Sequence, residues 1–376
     1  MKILILEPYF TGSHKAWAEG YVEHSQHQVE ILSLSGKFWK WRMHGGAVSL
    51  ARQFFESNFQ PDLLLATDML DLTTFLTLTR QMTADLPVAL YFHENQLTYP
   101  WSPNDRDVVH QRDRHYGFIN YASALAADAV FFNSSFHKDS FFEELQRFLK
   151  HFPDHRELEN MDLIRSKSQV LPLGLDLRRF DKYNIERANP HSKSCRPLIL
   201  WNHRWEFDKN PTEFFQALAA VAEEGWQFEV AVLGECFSQQ PAEFEEGRKR
   251  LGSKVVQFGF VEDFAEYARW LWRADILPVT SHQDFFGASV VEAVYCGCWP
   301  VLPQRLAYPE LIPTELHAKY FYHGFDELVA QLVYIIENRD HLQNNCLQSV
   351  VKKYDWQEMS VKYDDHLKRV IDEFGR

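Results

Sequence analysis

Short apolar runs recur along this chain, with helix-spaced segments between them, in two series separated by one polar stretch. In the first series, residues 2–6, 29–32, 63–67, 88–92, 129–132 and 169–172 read as strands. Between them, Leu50, Phe54 and Phe55, or Ile119, Ala122, Leu125 and Ala126, repeat at helical intervals. This is the rhythm of an α/β fold, a parallel sheet with helices on both faces. Residues 181–197, with Asn189-Pro190-His191-Ser192-Lys193-Ser194, break the rhythm and read as a linker. It then restarts, with strands at 198–201, 228–233, 255–258, 275–279 and 299–302 and helices opening at Pro211 and near Ala288. Two domains are therefore expected, at 1–185 and 196–355, which suits a length of 376 residues. In the last segment, 356–376, Met359, Tyr363, Leu367, Val370 and Ile371 form a helical stripe that needs a partner surface, expected on the first domain.

Composition removes whole classes of function. A net charge of −13 speaks against nonspecific coating of nucleic acid, although basic residues outnumber acidic ones between Arg147 and Arg196. No apolar run approaches the ~20 residues of a membrane-spanning helix. The N-terminal run meets Glu7 and Pro8 at once and reads as a first strand, not a signal peptide. Five cysteines, an odd number, suit reduced thiols and a cytoplasmic protein. Cys296 and Cys298 lack a second pair at zinc-site spacing, because Cys195, Cys236 and Cys346 are scattered, so no metal is expected.

In open α/β sheets ligands collect just past the carboxyl ends of strands. Thr11-Gly12-Ser13-His14 follows the first strand and opens a helix, where a glycine and free N–H groups favour an anion. It lacks the full G-x-G-x-x-G dinucleotide fingerprint. Phe92-His93-Glu94-Asn95-Gln96 follows the fourth strand, and its His, Asn and Gln suit sugar hydroxyls. Past the first strand of the second series, Arg204 and Lys209 suit phosphate oxygens; salt bridges to Glu206 or Asp208 are the competing reading. The sharpest motif runs from His282 through Asp284-Phe285-Phe286-Gly287-Ala288 into a helix carrying Glu292. Two carboxylates beside a helix N-terminus suit a nucleotide sugar.

These motifs resemble the retaining GT-B glycosyltransferases of the glycogen-synthase-like, family 4 type. The resemblance rests on an acidic residue before Phe-Gly with a glutamate eight positions on, an Arg and a Lys five apart, and the turn Leu173-Gly174-Leu175-Asp176. Glu7 through Lys15, Tyr91 through Pro100, Phe131-Phe132-Asn133-Ser134, Trp201 through Pro211 and Glu292 through Trp299 are similar, in order, to the tRNA-queuosine α-mannosyltransferase family. The resemblance implies two Rossmann-like domains facing each other across a cleft. It implies transfer of mannose from GDP-mannose to queuosine in the anticodon loop of an aspartate tRNA, with retained configuration and no metal. It also implies that Arg204 and Lys209 hold the diphosphate, Glu292 the ribose and Asp284 the sugar hydroxyls. His93 is then placed beside the anomeric carbon, Gly12 on the phosphate side of the cleft with Ser13 and His14 next to it, and Phe286, Gly287 and Ala288 at the donor. In this chain Asp284 stands where the family usually has Glu.

Two other readings stay open on the residues alone: a GT-B transferase with another nucleotide sugar or acceptor, and a nucleotide- or RNA-binding module that has lost catalysis. The candidates for tRNA contact are the basic stretch from Arg147 to Lys193 and Arg106, Arg112 and Arg114, with Tyr99, Trp101 and Tyr116 as stacking platforms or core aromatics.

Overall fold

The structure is a computed structural model that describes residues 1–101, 105–109, 114–184, 196–235, 241–339 and 347–374. They divide into two compact units, Met1–Leu175 with Trp356–Arg376, and Asp176–Asp355. Arg112, Cys195, Cys236, Cys346 and the linker core at 185–195 lie outside the described residues.

The first unit is built on six strands: β1 (Lys2–Phe10), β2 (Gln28–Ser35), β3 (Leu63–Thr67), β4 (Val88–Phe92), β5 (Ala129–Phe132) and β6 (Ser168–Val170). They lie in the order β2-β1-β3-β4-β5-β6, and every ladder is parallel. Alternation along each strand sends side chains to opposite faces. Leu4, Leu6, Leu64, Ala66, Leu90, Phe92, Val130 and Phe132 join one core with Leu50, Phe54, Phe75 and Phe141 of the covering helices Trp39–Glu56, Leu72–Thr83 and Ser135–Lys150. Two of these helices start where the sequence supplies a cap: Asp71 accepts from the Thr74 N–H and Ser134 from that of His137.

Tyr91 points the other way and stacks on Trp17 of the helix Gly12–His24, at 4.8 Å. The helix Trp356–Glu373 packs on that same face. Its Met359, Tyr363, Leu367 and Val370 are buried, whereas Ile371 is half-buried. Asp364 ties it to the earlier helix, accepting from Tyr21 Oη at 2.8 Å, Ser25 Oγ at 2.6 Å and the Gln26 N–H at 3.0 Å.

The second unit begins earlier than residue 196, contrary to the sequence expectation that the first domain runs to 185. Residues 176–184 pack onto its helix Phe264–Arg273: Phe180 meets Phe264 at 4.9 Å, and Trp272 Nε1 donates to the Phe180 carbonyl at 2.7 Å. This unit holds β7 (Leu198–Trp201), β8 (Glu229–Val232), β9 (Val255–Phe258), β10 (Ile276–Pro278), β11 (Trp299–Pro303) and β12 (Phe321–Tyr322), in the order β12-β11-β10-β7-β8-β9. These ladders are parallel as well. The helix Pro211–Glu223 opens on Asn210, whose side chain accepts from the Glu213 N–H and whose backbone sits at φ 54°. Among the described residues, no helix is long and apolar enough to cross a membrane. Cys296 and Cys298 are buried, and the Cys298 thiol faces the carbonyls of Leu271 and Ala274.

Candidate active site

In the first unit the strand ends gather a buried polar cluster. Glu7 lies where the pairing of β1 with β2 shifts register, and it is fully buried. A buried carboxylate is costly unless paired, and both of its oxygens are used. Oε1 accepts from the Tyr9 N–H at 2.8 Å, and Oε2 meets His14 Nδ1 at 3.0 Å. Burial alone pulls the His14 imidazole down, but the charge and hydrogen bond of Glu7 outweigh it and carry its pKa up to about 9. His14 is therefore an imidazolium at neutral pH.

Its ring lies 4.2 Å from that of His93, just past β4. Burial, then the charge of His14, holds His93 well below the ordinary histidine range, so His93 is neutral. Trp17 and Tyr91 complete an aromatic box around it at 4.7 and 5.0 Å. One ligand atom each from Glu7, His14 and His93 falls within 4.8 Å of the others, as in a metal site. A metal ion would have to displace the proton that His14 and Glu7 share. Gly12, at φ +50°, and Ser13 are exposed at the opening of the helix that carries His14. An added Cβ at Gly12 would meet no atom within 4 Å, so the glycine there serves backbone conformation and open access.

In the second unit the loop after β7 meets the loop after β10. Lys209 is buried, yet its Nζ donates to the Gln283 carbonyl at 2.6 Å and lies 3.4 Å from Asp208 Oδ2 and 3.8 Å from Asp284 Oδ2. Asp284 Oδ1 accepts from the N–H groups of Phe286 and Gly287 at 3.3 and 2.8 Å, and Oδ2 accepts from Tyr308 Oη at 3.2 Å. Burial pushes this carboxyl up, but Lys209, His203 and the two backbone donors outweigh it and hold it below its usual range. Gly287 sits at φ +92°, where only glycine is at ease, and starts the helix Ala288–Tyr295. Phe286 is buried against Tyr354, and Ala288 is half-buried.

Glu292, on that helix, accepts from Tyr267 Oη at 2.8 Å, and Asn202 Nδ2 donates to the Ser289 carbonyl at 2.8 Å. Burial raises the Glu292 carboxyl to about 7, with the Tyr267 hydroxyl pulling against it. Arg204 is more open: its side chain is 44% exposed and pairs with Glu206 at 3.3 Å. Both salt bridges offered as the competing reading are thus present, but only that of Lys209 is buried.

The sequence motifs converge as pairs, Lys209 with Asp284 and His14 with His93. Sequence reasoning passed over Asp68, His203 and Tyr267. Asp68 stands directly past β3, so the strand-end rule reaches it. His203 is buried, with Nδ1 on Ser289 Oγ at 2.9 Å and Nε2 without a partner among the described residues. Tyr267 lies mid-helix, where no local signal marks it. Of the aromatics offered for base stacking, Tyr116 is buried among Trp39, Trp101 and His44 and belongs to the core; Trp101 and Tyr99 are half-buried, and Arg106 and Arg114 are exposed. A cavity of about 540 Å³ lined by Phe118, Tyr121, Phe152 and Arg156 shares no residue with either cluster.

Two family models match the chain: "tRNA-queuosine alpha-mannosyltransferase N-terminal" over residues 2–175 and "Glycosyl transferases group 1" over 183–349. A Drosophila melanogaster tRNA-queuosine alpha-mannosyltransferase is 38% identical over 318 residues, covering 83% of this chain and 82% of that protein. The chain is similar in structure to sucrose-phosphate synthase from Thermosynechococcus elongatus, with TM-score 0.69, 14% identity and 99% of each chain covered. It is also similar to Anabaena Alr3699/HepE in complex with UDP and glucose, with TM-score 0.68, 14% identity, and 98% of this chain and 100% of that one covered. At such identities these likenesses show the fold, two parallel α/β units of the GT-B type.

Proposed function

The chain belongs to the tRNA-queuosine alpha-mannosyltransferase family and is a glycosyltransferase, and from that premise we propose that it moves mannose from GDP-mannose onto queuosine in the anticodon loop of an aspartate tRNA. The donor is assigned to the second unit and the acceptor to the first. The observation that carries this reading is the buried Lys209, held by Asp284 and the Gln283 carbonyl at the start of the helix that bears Glu292. A cation fixed in a low-dielectric site before the reaction stabilises charge on a departing diphosphate without reorganising. Arg204 adds a planar fork suited to phosphate oxygens. Together they supply the positive charge that the leaving group needs, so the proposed reaction uses no metal.

Asp284 and His93 are assigned to the sugar, Glu292 to the ribose, and Gly12, Ser13 and His14 to the phosphate side, with the backbone of Phe286, Gly287 and Ala288 at the donor. The leaving diphosphate takes the acceptor proton in a same-face displacement. Neutral His93 orients the sugar, and its burial, with the charge of His14 beside it, keeps it neutral. The buried thiols of Cys296 and Cys298 and a tRNA substrate support a cytoplasmic site of action.

Mass analysis of tRNA nucleosides after incubation with GDP-mannose, GDP-glucose, UDP-glucose or UDP-galactose tests donor and acceptor together. A hexose added to queuosine from GDP-mannose alone is the expected product. Transfer from a UDP-sugar, or onto another nucleoside, overturns the assignment.

A further inference from the structure

Beside His93, which is assigned to the sugar, the first unit holds a second buried residue, Asp68, with a polar atom that no described residue satisfies. Asp68 is 1% exposed; its Oδ1 accepts from the His93 N–H at 2.8 Å, while its Oδ2 has no partner among the described residues. His93 Nε2, next to it, is likewise buried and unpartnered. The two residues follow neighbouring parallel strands, and the Asp68 N–H donates to the Tyr91 carbonyl at 3.1 Å. Native proteins rarely bury polar atoms without partners, so such a pair at strand ends marks a place where a bound molecule completes the hydrogen bonding.

Charge narrows the chemistry of that molecule. The groups that act on Asp68 are His14 on the helix after β1, Glu7 on β1 itself, Glu94 and the N–H of His93 past β4. Glu7 and the His14 imidazolium neutralise each other, which leaves Asp68 and Glu94 as the surplus. Burial drives the Asp68 carboxyl up to about 8; His14 opposes this, and Glu94 and Glu7 add to it. A phosphate placed directly on Asp68 and Glu94 would be repelled. A cation would be drawn in and would convert Asp68 to its carboxylate, whose oxygens also accept hydroxyl protons.

We propose that Asp68, with Glu94 beside it, is an acceptor-binding residue that takes a protonated amine carrying vicinal hydroxyls. This is the chemistry of the amino-linked cyclopentenediol of queuosine, and the inference rests on queuosine being the acceptor. Asp68 recognises that side chain directly, while the Glu7–His14 pair behind it fixes the charge of the pocket.

The test is steady-state transfer from GDP-mannose to queuosine-bearing tRNA by the full-length protein and its Asp68→Asn and Asp68→Ala variants. Asparagine keeps an oxygen for the His93 N–H, so the fold is retained while the charge is lost. The acceptor KM is expected to rise tenfold or more in Asp68→Asn, with the KM for GDP-mannose changed less than twofold. The wild-type acceptor kcat/KM is expected to climb as pH approaches about 8, and this limb is expected to be flat in the variant. Calorimetric titration of the same tRNA at pH 7 in two buffers of different ionisation enthalpy is expected to show proton release by wild type and none by Asp68→Asn. An unchanged acceptor KM, an unchanged acidic limb, or equal rises in both KM values overturns this assignment alone. Failure of the wild-type protein to transfer mannose to queuosine overturns the functional reading beneath it, and this inference with it.

Discussion

Lys209 and Arg204 carry the same charge five positions apart but meet different surroundings. Lys209 is 10% exposed between Asp208 and Asp284, so replacing it with Ala leaves buried carboxylates uncompensated. A loss of about 3 kcal/mol in stability is expected from that alone. Arg204, at 44% exposure, pairs with Glu206 where solvent screens the charges, so Arg204→Ala is expected to cost less stability than Lys209→Ala, about 1 kcal/mol or less. Both variants are expected to lower kcat by roughly 10²-fold, as removal of one preorganised donor does. Denaturant melts and steady-state rates check this, and a fully active Arg204→Ala would return Arg204 to the role of a surface ion pair. Glu292 supplies a second expectation. Burial raises its carboxyl to about 7, and only the ionised form accepts from both ribose hydroxyls, so donor binding should strengthen as pH rises through 7. The Tyr267 hydroxyl holds that carboxyl down, so Tyr267→Phe should move the limb to higher pH, as read from the KM for GDP-mannose across pH. The sequence showed these residues as motifs but not their environments. Nothing in the spacing of Arg204 and Lys209 says that one is buried, because burial depends on the facing loop after β10, which is distant in sequence.

Among the elements, the helix Trp356–Glu373 has the sharpest steric requirement. Its Trp356 ring lies where a Cβ on Gly20 would come within 2.0 Å of Nε1 and a Cβ on Gly174 within 2.4 Å of Cδ2. In an open helix Gly→Ala gains about 1 kcal/mol. Here overpacking of about 1–3 kcal/mol opposes that gain, and the ring has atoms of the first unit on both sides. Gly20→Ala is therefore expected to lower the melting temperature, and Trp356→Ala, which removes the ring, to cost less in the Gly20→Ala background than in wild type. Equal stability of wild type and Gly20→Ala would show that the ring can move aside freely. The elements themselves were readable: each of the eleven strands expected from apolar runs is present, with β1, β2 and β11 longer than expected and β6, β8 and β10 shorter. The twelfth, β12, spans two residues, too few for alternation to register. The first domain is expected to run to 185 because the polar break in the rhythm begins only at 181, whereas Phe180 already anchors the segment from 176 to the second unit.

At the scale of the whole molecule, a net charge of −13 opposes binding of an anionic tRNA, so contact is expected to be local, with the exposed Arg106 and Arg114 as candidates for it. Affinity for tRNA is expected to fall linearly in logarithmic plots against salt, while the KM for GDP-mannose changes far less. Filter binding between about 50 and 200 mM salt checks this, and a flat tRNA profile would point to base stacking without phosphate contacts. The backbone leaves the first unit at Leu175 and returns to it at Trp356. A ribosome adding 5–20 residues per second therefore needs roughly 10–40 s to make the intervening unit before the final helix emerges. Throughout that interval Trp17, Tyr21 and Tyr91 lack their cover, and the amino-terminal lobe is an unfinished, sticky nascent chain. A stop codon at position 356 would spare every residue assigned here to donor or acceptor and still leave that lobe without its lid of tyrosine and tryptophan.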